Sequence, residues 1–129
     1  MVSEEAVRHI ALALPGTEDG GDRLAFTVDG KGFAWSWMER VEKKKPRIER
    51  RDVLAIWVAD EGEKQALLAI DPAKFFTEDH YNGYPAVLVR LGAIEIEELE
   101  ELLFDAWHCR APRALVKAFE AERGSSLKG

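Results

Sequence analysis

Apolar positions divide the chain into elements before any motif does. Val7, Ile10, Ala11 and Leu14 recur at i, i+3, i+4 and i+7 and predict an amphipathic first helix. Ser3 can cap it, and Glu4 and Glu5 lie near its positive end. Leu14-Pro15-Gly16 ends it, and "TEDGGD" (17–22) reads as loop. Leu24, Phe26 and Val28 alternate with Ala25 and Thr27; after Asp29-Gly30, Phe33, Trp35 and Trp37 alternate with Ala34, Ser36 and Met38. That pattern predicts a β-hairpin. "VLAIWV" (53–58) is a continuous apolar run and reads as a more central strand. Asp60 and Glu63 form a capping-box pair before a helix through Leu67 and Leu68. Phe75 to Thr77 reads as a short strand, Asn82-Gly83 as a bend, and Ala86 to Leu91 as a strand buried on both faces. Over residues 95–109, Ile96, Leu99, Leu102, Leu103, Ala106 and Trp107 line one face of a helix, with Glu97, Glu98, Glu100, Glu101 and Asp105 largely opposite. Pro112 opens a last helix carrying Leu115, Val116 and Phe119.

Hairpin strands grouped together, with helices at both ends of the chain, predict an α+β fold with an antiparallel sheet. Trp35, Trp57 and Trp107 are expected to build the core between sheet and helices. A single domain is expected over residues 1–124, with a flexible tail at 125–129.

Composition changes this picture in two places. The 129 residues, 47% hydrophobic and 33% charged, suit one soluble domain. No apolar run approaches the ~20 residues of a membrane helix. The acidic start, "MVSEEAVRHI", does not resemble a signal peptide. The single cysteine, Cys109, excludes an intramolecular disulfide framework and fits a reducing cytoplasm. The net charge of −6 and pI near 5.1 argue against a general nucleic-acid binder. Yet Arg40 to Arg51, "RVEKKKPRIERR", holds seven basic and two acidic residues, a net of +5, which leaves −11 on the remainder. This run reads either as a solvated loop or as a phosphate-contacting segment through Lys43, Lys44, Lys45, Arg47, Arg50 and Arg51.

Catalytic motifs are absent. No phosphate-binding glycine loop, HExxH, CxxC or G-x-S-x-G occurs, and His9, His80 and His108 lack metal-ligand spacing. Cys109 and its neighbour His108 point to different faces of a helix and make no nucleophile–base pair. Glu18, Asp19 and Asp22 lack an EF-hand's ligand order and read as a solvated acidic loop. In "FFTEDHYNGYPAVLVRL" (75–91), His80, Tyr81 and Tyr84 could line a pocket; the plainer reading is a tight connection, with turn chemistry at Asn82-Gly83 and Pro85 fixing the approach to the strand. Arg90, inside an apolar strand, calls for a partner, and an ion pair is expected.

Four blocks, "ALALPGTED" (11–19), "AFTVDGKGFAW" (25–35), "DPAKFFTEDHYNGYPAVLVRL" (71–91) and "LEELLFDAWHCRAP" (99–112), resemble the MmcQ/YjbR family in order along nearly the whole chain. "DGGDRL" departs from the more usual aromatic-glycine approach to the first strand, and the basic loop varies in the family. The resemblance implies a fold like bacterial frataxin, also described as a double wing of β-hairpins. It implies a DNA-binding label that rests on likeness to double-wing domains, and no catalytic residues or cofactor. The HYxGYP block maps onto His80, Tyr81, Gly83, Tyr84 and Pro85. The expected function is a non-enzymatic, cytoplasmic, monomeric module contacting duplex DNA through residues 43–51, with Lys31 on the neighbouring hairpin assisting. A protein-interaction module is the alternative, and metal handling by frataxin analogy ranks last.

Overall fold

A computed structural model of the chain describes residues 1–128, with side chains through Glu122. The predicted α+β class holds. Six antiparallel strands form one sheet in the order β1-β2-β3-β4-β6-β5, flanked by four helices. The elements are α1 (Glu4–Leu12), β1 (Thr17–Asp19), β2 (Ala25–Val28), β3 (Lys31–Glu39), β4 (Ile48–Trp57), α2 (Glu61–Ile70), β5 (Phe75–Phe76), β6 (Ala86–Arg90), α3 (Ile96–Arg110) and α4 (Arg113–Lys128). A 3-10 turn spans Asp79–Tyr81. The backbone of α4 continues through 125–128, the segment set apart above as a tail; Gly129 and the side chains after Glu122 lie outside the described residues. No described helix is long and apolar enough to cross a membrane.

The helix starts follow the capping chemistry. Ser3 Oγ accepts from the Ala6 N–H, and the Asp60 carboxylate accepts from the Glu63 N–H while Glu63 reaches back to the Ala59 N–H. The helix-facing side of the sheet forms the main core. There Phe26, Val28, Phe33, Leu54, Ile56, Val87 and Val89 meet Val7, Ala11, Leu99, Leu103 and Trp107. Trp107 is fully buried, and its indole N–H donates to the Pro15 carbonyl at 2.9 Å.

Three expectations need correction. "TEDGGD" is not all loop: Thr17, Glu18 and Asp19 pair with Val28, Thr27 and Phe26 as an edge strand. β4 starts at Ile48 rather than Val53, so half of the basic run is strand. Trp35 does not join the helix-side core. Register runs Thr27↔Gly32 and then Phe26↔Ala34, so Phe33 is an extra residue, a bulge that reverses which face the next side chains take. Trp35 and Trp37 consequently pack on the opposite face with Val53, Ala55, Phe76, Tyr81 and Leu88. A second irregularity takes Ser36↔Leu54 to Trp37↔Arg50 and leaves Arg51 to Val53 without β3 partners. Beyond it, 37–39 and 48–50 form a two-stranded arm that carries the basic loop.

Candidate nucleic-acid interface

The loop at 40–47 joins β3 to β4 at the tip of this arm. The Arg40 guanidinium donates to the carbonyls of Lys43 (3.0 Å) and Lys45 (3.3 Å), which gathers the loop around it. Lys43, Lys44, Lys45 and Arg47 are all exposed. Lys45 has one carboxylate near it, Glu42 at 3.4 Å; both side chains are solvated, so the pair holds little energy.

The other predicted cations are placed differently. Arg50 pairs with Glu39 across the arm at 2.7 Å. Arg51 pairs with Glu4 at 2.8 Å and Glu49 at 3.4 Å and donates to the Asp22 carbonyl. The hydrogen bond to Glu4 comes first among the influences raising its pKa above the ordinary value. Arg51 ties β4 to α1, and Arg50 links the two strands of the arm, so both already have carboxylate partners. Lys31 lies at the opposite end of β3 from Glu39, where the basic loop begins.

The HYxGYP block packs on the outer face of the sheet, against Trp35 and Trp57. Gly83 has φ +77°, which explains glycine at this bend. Pro85 presents its carbonyl to the Val58 N–H at 2.9 Å. The Trp35 indole N–H donates to the Tyr81 hydroxyl at 3.1 Å. Tyr84 stands edge-on to Trp35, Trp57 and Tyr81, with ring centroids 6.4, 5.8 and 5.9 Å away. Desolvation pushes the Tyr81 phenol above its ordinary value, against the smaller opposing influence of the Trp35 hydrogen bond, so the hydroxyl keeps its proton.

Sequence reasoning missed Lys64. It is buried on α2, and its ammonium donates to the carbonyls of Tyr81 and, at 2.8 Å, Tyr84. Desolvation lowers its pKa below the ordinary 10.5. The signal was present: Lys64 precedes Leu67 and Leu68 by three and four residues, which puts it on the buried side of the helix. Arg90 also departs from expectation. Among the described residues it has no carboxylate partner; its guanidinium lies over the Phe76 ring at 4.0 Å. Because residue 90 shares a face with Leu88, the outer aromatic face supplies the partner. Arg110 covers Trp57 in the same way at 3.8 Å.

The loop and the block converge. Arg47, Trp35, His80, Tyr81 and Tyr84 line an open recess of about 380 Å³. It presents cationic and hydrogen-bonding groups beside aromatic rings, and no carboxylate lines it. Asp19, weighed above as a cation ligand, is instead engaged by Arg8 and the Gly21 N–H. That Arg8 hydrogen bond is the main cause of its lowered pKa. Among the described residues no three His, Cys, Asp or Glu side chains gather to hold a metal.

Residues 12–109, which contain the sheet, the basic loop and the HYxGYP block, match the YjbR family model. The chain belongs to the YjbR family. Among curated proteins it is similar to uncharacterized protein Mb2600 of Mycobacterium bovis and uncharacterized protein Rv2570 of Mycobacterium tuberculosis, each 52% identical over 73 residues. The aligned part is 57% of this chain, and the chain spans 57% of the length of those relatives. No solved structure gives a significant match.

Proposed function

We propose that this YjbR protein is a non-enzymatic module that binds duplex DNA, with the tip of the β3–β4 arm lying against the phosphate backbone. The observation that supports this reading is the charge placement. Residues 40–47 hold five basic residues and one acidic, a net of +4 that leaves −10 on the remainder. These cations gather on the loop at the tip of the arm while the remainder of the chain is acidic, so DNA has one favourable direction of approach and is repelled from others. Contacts from flexible lysines to phosphates position a protein without reading sequence, so the binding is weak in base preference. Fluorescence anisotropy with a labelled duplex tests the reading. A variant with Lys43, Lys44 and Lys45 changed to Ala should lose most of the affinity; unchanged binding would remove the loop from the account.

A protein-interaction module is the second reading. A groove of about 430 Å³ between α1 and α3, lined by His9, Glu97, Glu100 and Glu101 beside Phe104, suits a basic segment of a partner. Indifference to DNA together with a stoichiometric co-purifying protein would favour it.

A further inference from the structure

We propose that the recess formed by Trp35, Arg47, His80, Tyr81 and Tyr84 binds a single unpaired nucleotide, its phosphate held by Arg47, His80 and the Tyr81 hydroxyl and its base laid against Tyr84. The inference stands apart from duplex binding. A base paired and stacked in a duplex has no free face to lay on Tyr84, and Lys43, Lys44 and Lys45 do not line the recess.

The chemistry of the walls selects the ligand. The Tyr81 oxygen already accepts the Trp35 indole N–H, so its own proton is left to donate outward. Arg47 and His80 have no hydrogen-bond or ion-pair partner among the described residues. Arg47, His80 and Tyr81 give the lining three donor groups and no carboxylate, with Glu78 bearing on Tyr81 from outside the lining; the excess of donors favours an anion. A bare phosphate would leave most of the 380 Å³ unfilled. The remaining wall is aromatic, and Tyr84 is 42% exposed. That ring is also held in advance. Three edge-on neighbours fix its plane, and Lys64 anchors its carbonyl. A fixed ring loses little freedom when a base stacks on it. An anion joined to a flat ring describes a nucleotide, either free or as an unpaired unit of a single strand.

Trp35 lies in the recess, so tryptophan fluorescence reports occupancy. The native chain is titrated with adenosine 5′-monophosphate, adenosine, inorganic phosphate and a single-stranded oligodeoxyadenylate. The monophosphate should bind about tenfold or more tighter than adenosine or phosphate, the gain expected of stacking added to a charged contact. Arg47→Gln should weaken it by about tenfold, a loss typical of one charge-assisted contact. Tyr84→Leu should abolish the preference over phosphate, and the triple lysine variant should bind it within about twofold. Circular dichroism confirms that each variant is folded; Arg47 is an exposed loop residue, so its replacement keeps the test meaningful if Tyr84→Leu unfolds. Saturable binding of the monophosphate assigns a free nucleotide. Tighter binding of the oligonucleotide that requires both Arg47 and Tyr84 assigns a unit within a strand. Equal affinity for monophosphate and phosphate, with oligonucleotide binding indifferent to Tyr84→Leu, overturns the proposal. Loss of duplex binding in the lysine variant with nucleotide binding kept separates this site from the loop.

Discussion

Lys64 is buried yet has no ion-pair partner among the described residues; its ammonium is held by two carbonyls of the loop that leads into β6. Lys64→Met keeps most of the packing and strands both carbonyls, so unfolding in urea should show a loss of about 1–3 kcal/mol. No loss would mean that water serves those carbonyls equally well. At Gly83 a Cβ would meet nothing within 4 Å, so the first cost of Gly83→Val lies in the backbone. At φ +77° it should cost roughly 1–2 kcal/mol, whereas exposed His80→Ala should stay within about 0.5 kcal/mol. The bend was legible because Asn-Gly has local chemistry. The burial of Lys64 beneath it was legible from its helix face, but its partners were not, since backbone carbonyls leave no mark in the sequence.

Glu49 supplies a pH dependence at the same scale. Its carboxylate accepts from Ser36 Oγ and the Leu24 N–H and faces Arg51, and the Ser36 hydrogen bond is the first cause of a pKa below the ordinary 4.5. A depressed folded pKa means that the unfolded chain binds the proton more tightly. The stabilisation is therefore fully present above pH 4.5 and is lost as pH falls through the folded value. Glu49→Gln should flatten the stability profile below that pH; an unchanged acid limb would place the sensitivity elsewhere.

At the scale of elements, periodicity carried most of the fold. α1 and α3 were legible because burial on one face imposes the 3.6 spacing, and β6 because both its faces are covered. Two elements escaped for physical reasons. β1 is a three-residue polar edge strand, recognisable only by its pairing with β2. The outer half of β4 pairs with β3 alone, so no core on both sides imprints alternation on "RIERR". The bulge at Phe33 also breaks the alternation rule and moves Trp35 off the helix-side core. The tryptophans should consequently differ. Trp107→Ala, which empties a fully buried site, should cost about 3–5 kcal/mol, and half-buried Trp35→Ala distinctly less. Equal losses in thermal or urea unfolding would contradict the two-faced packing.

For the whole molecule, segregation of charge matters more than its total. The sequence revealed the basic run but not which of its members are committed, because Glu4, Glu39 and Glu49 reach Arg50 and Arg51 only through the fold. That sorting concentrates the free cations at residues 43–47 and sets the expected strength of the salt effect. The decisive measurement is the affinity for a duplex at several salt concentrations, for the native chain and for the variant with Lys43, Lys44 and Lys45 changed to Ala. With about four phosphates neutralised, log K should fall against log salt with a slope of about −3.6, and with three cations removed of about −0.9. Binding that ignores salt, or a slope that the triple substitution leaves unchanged, would contradict the account.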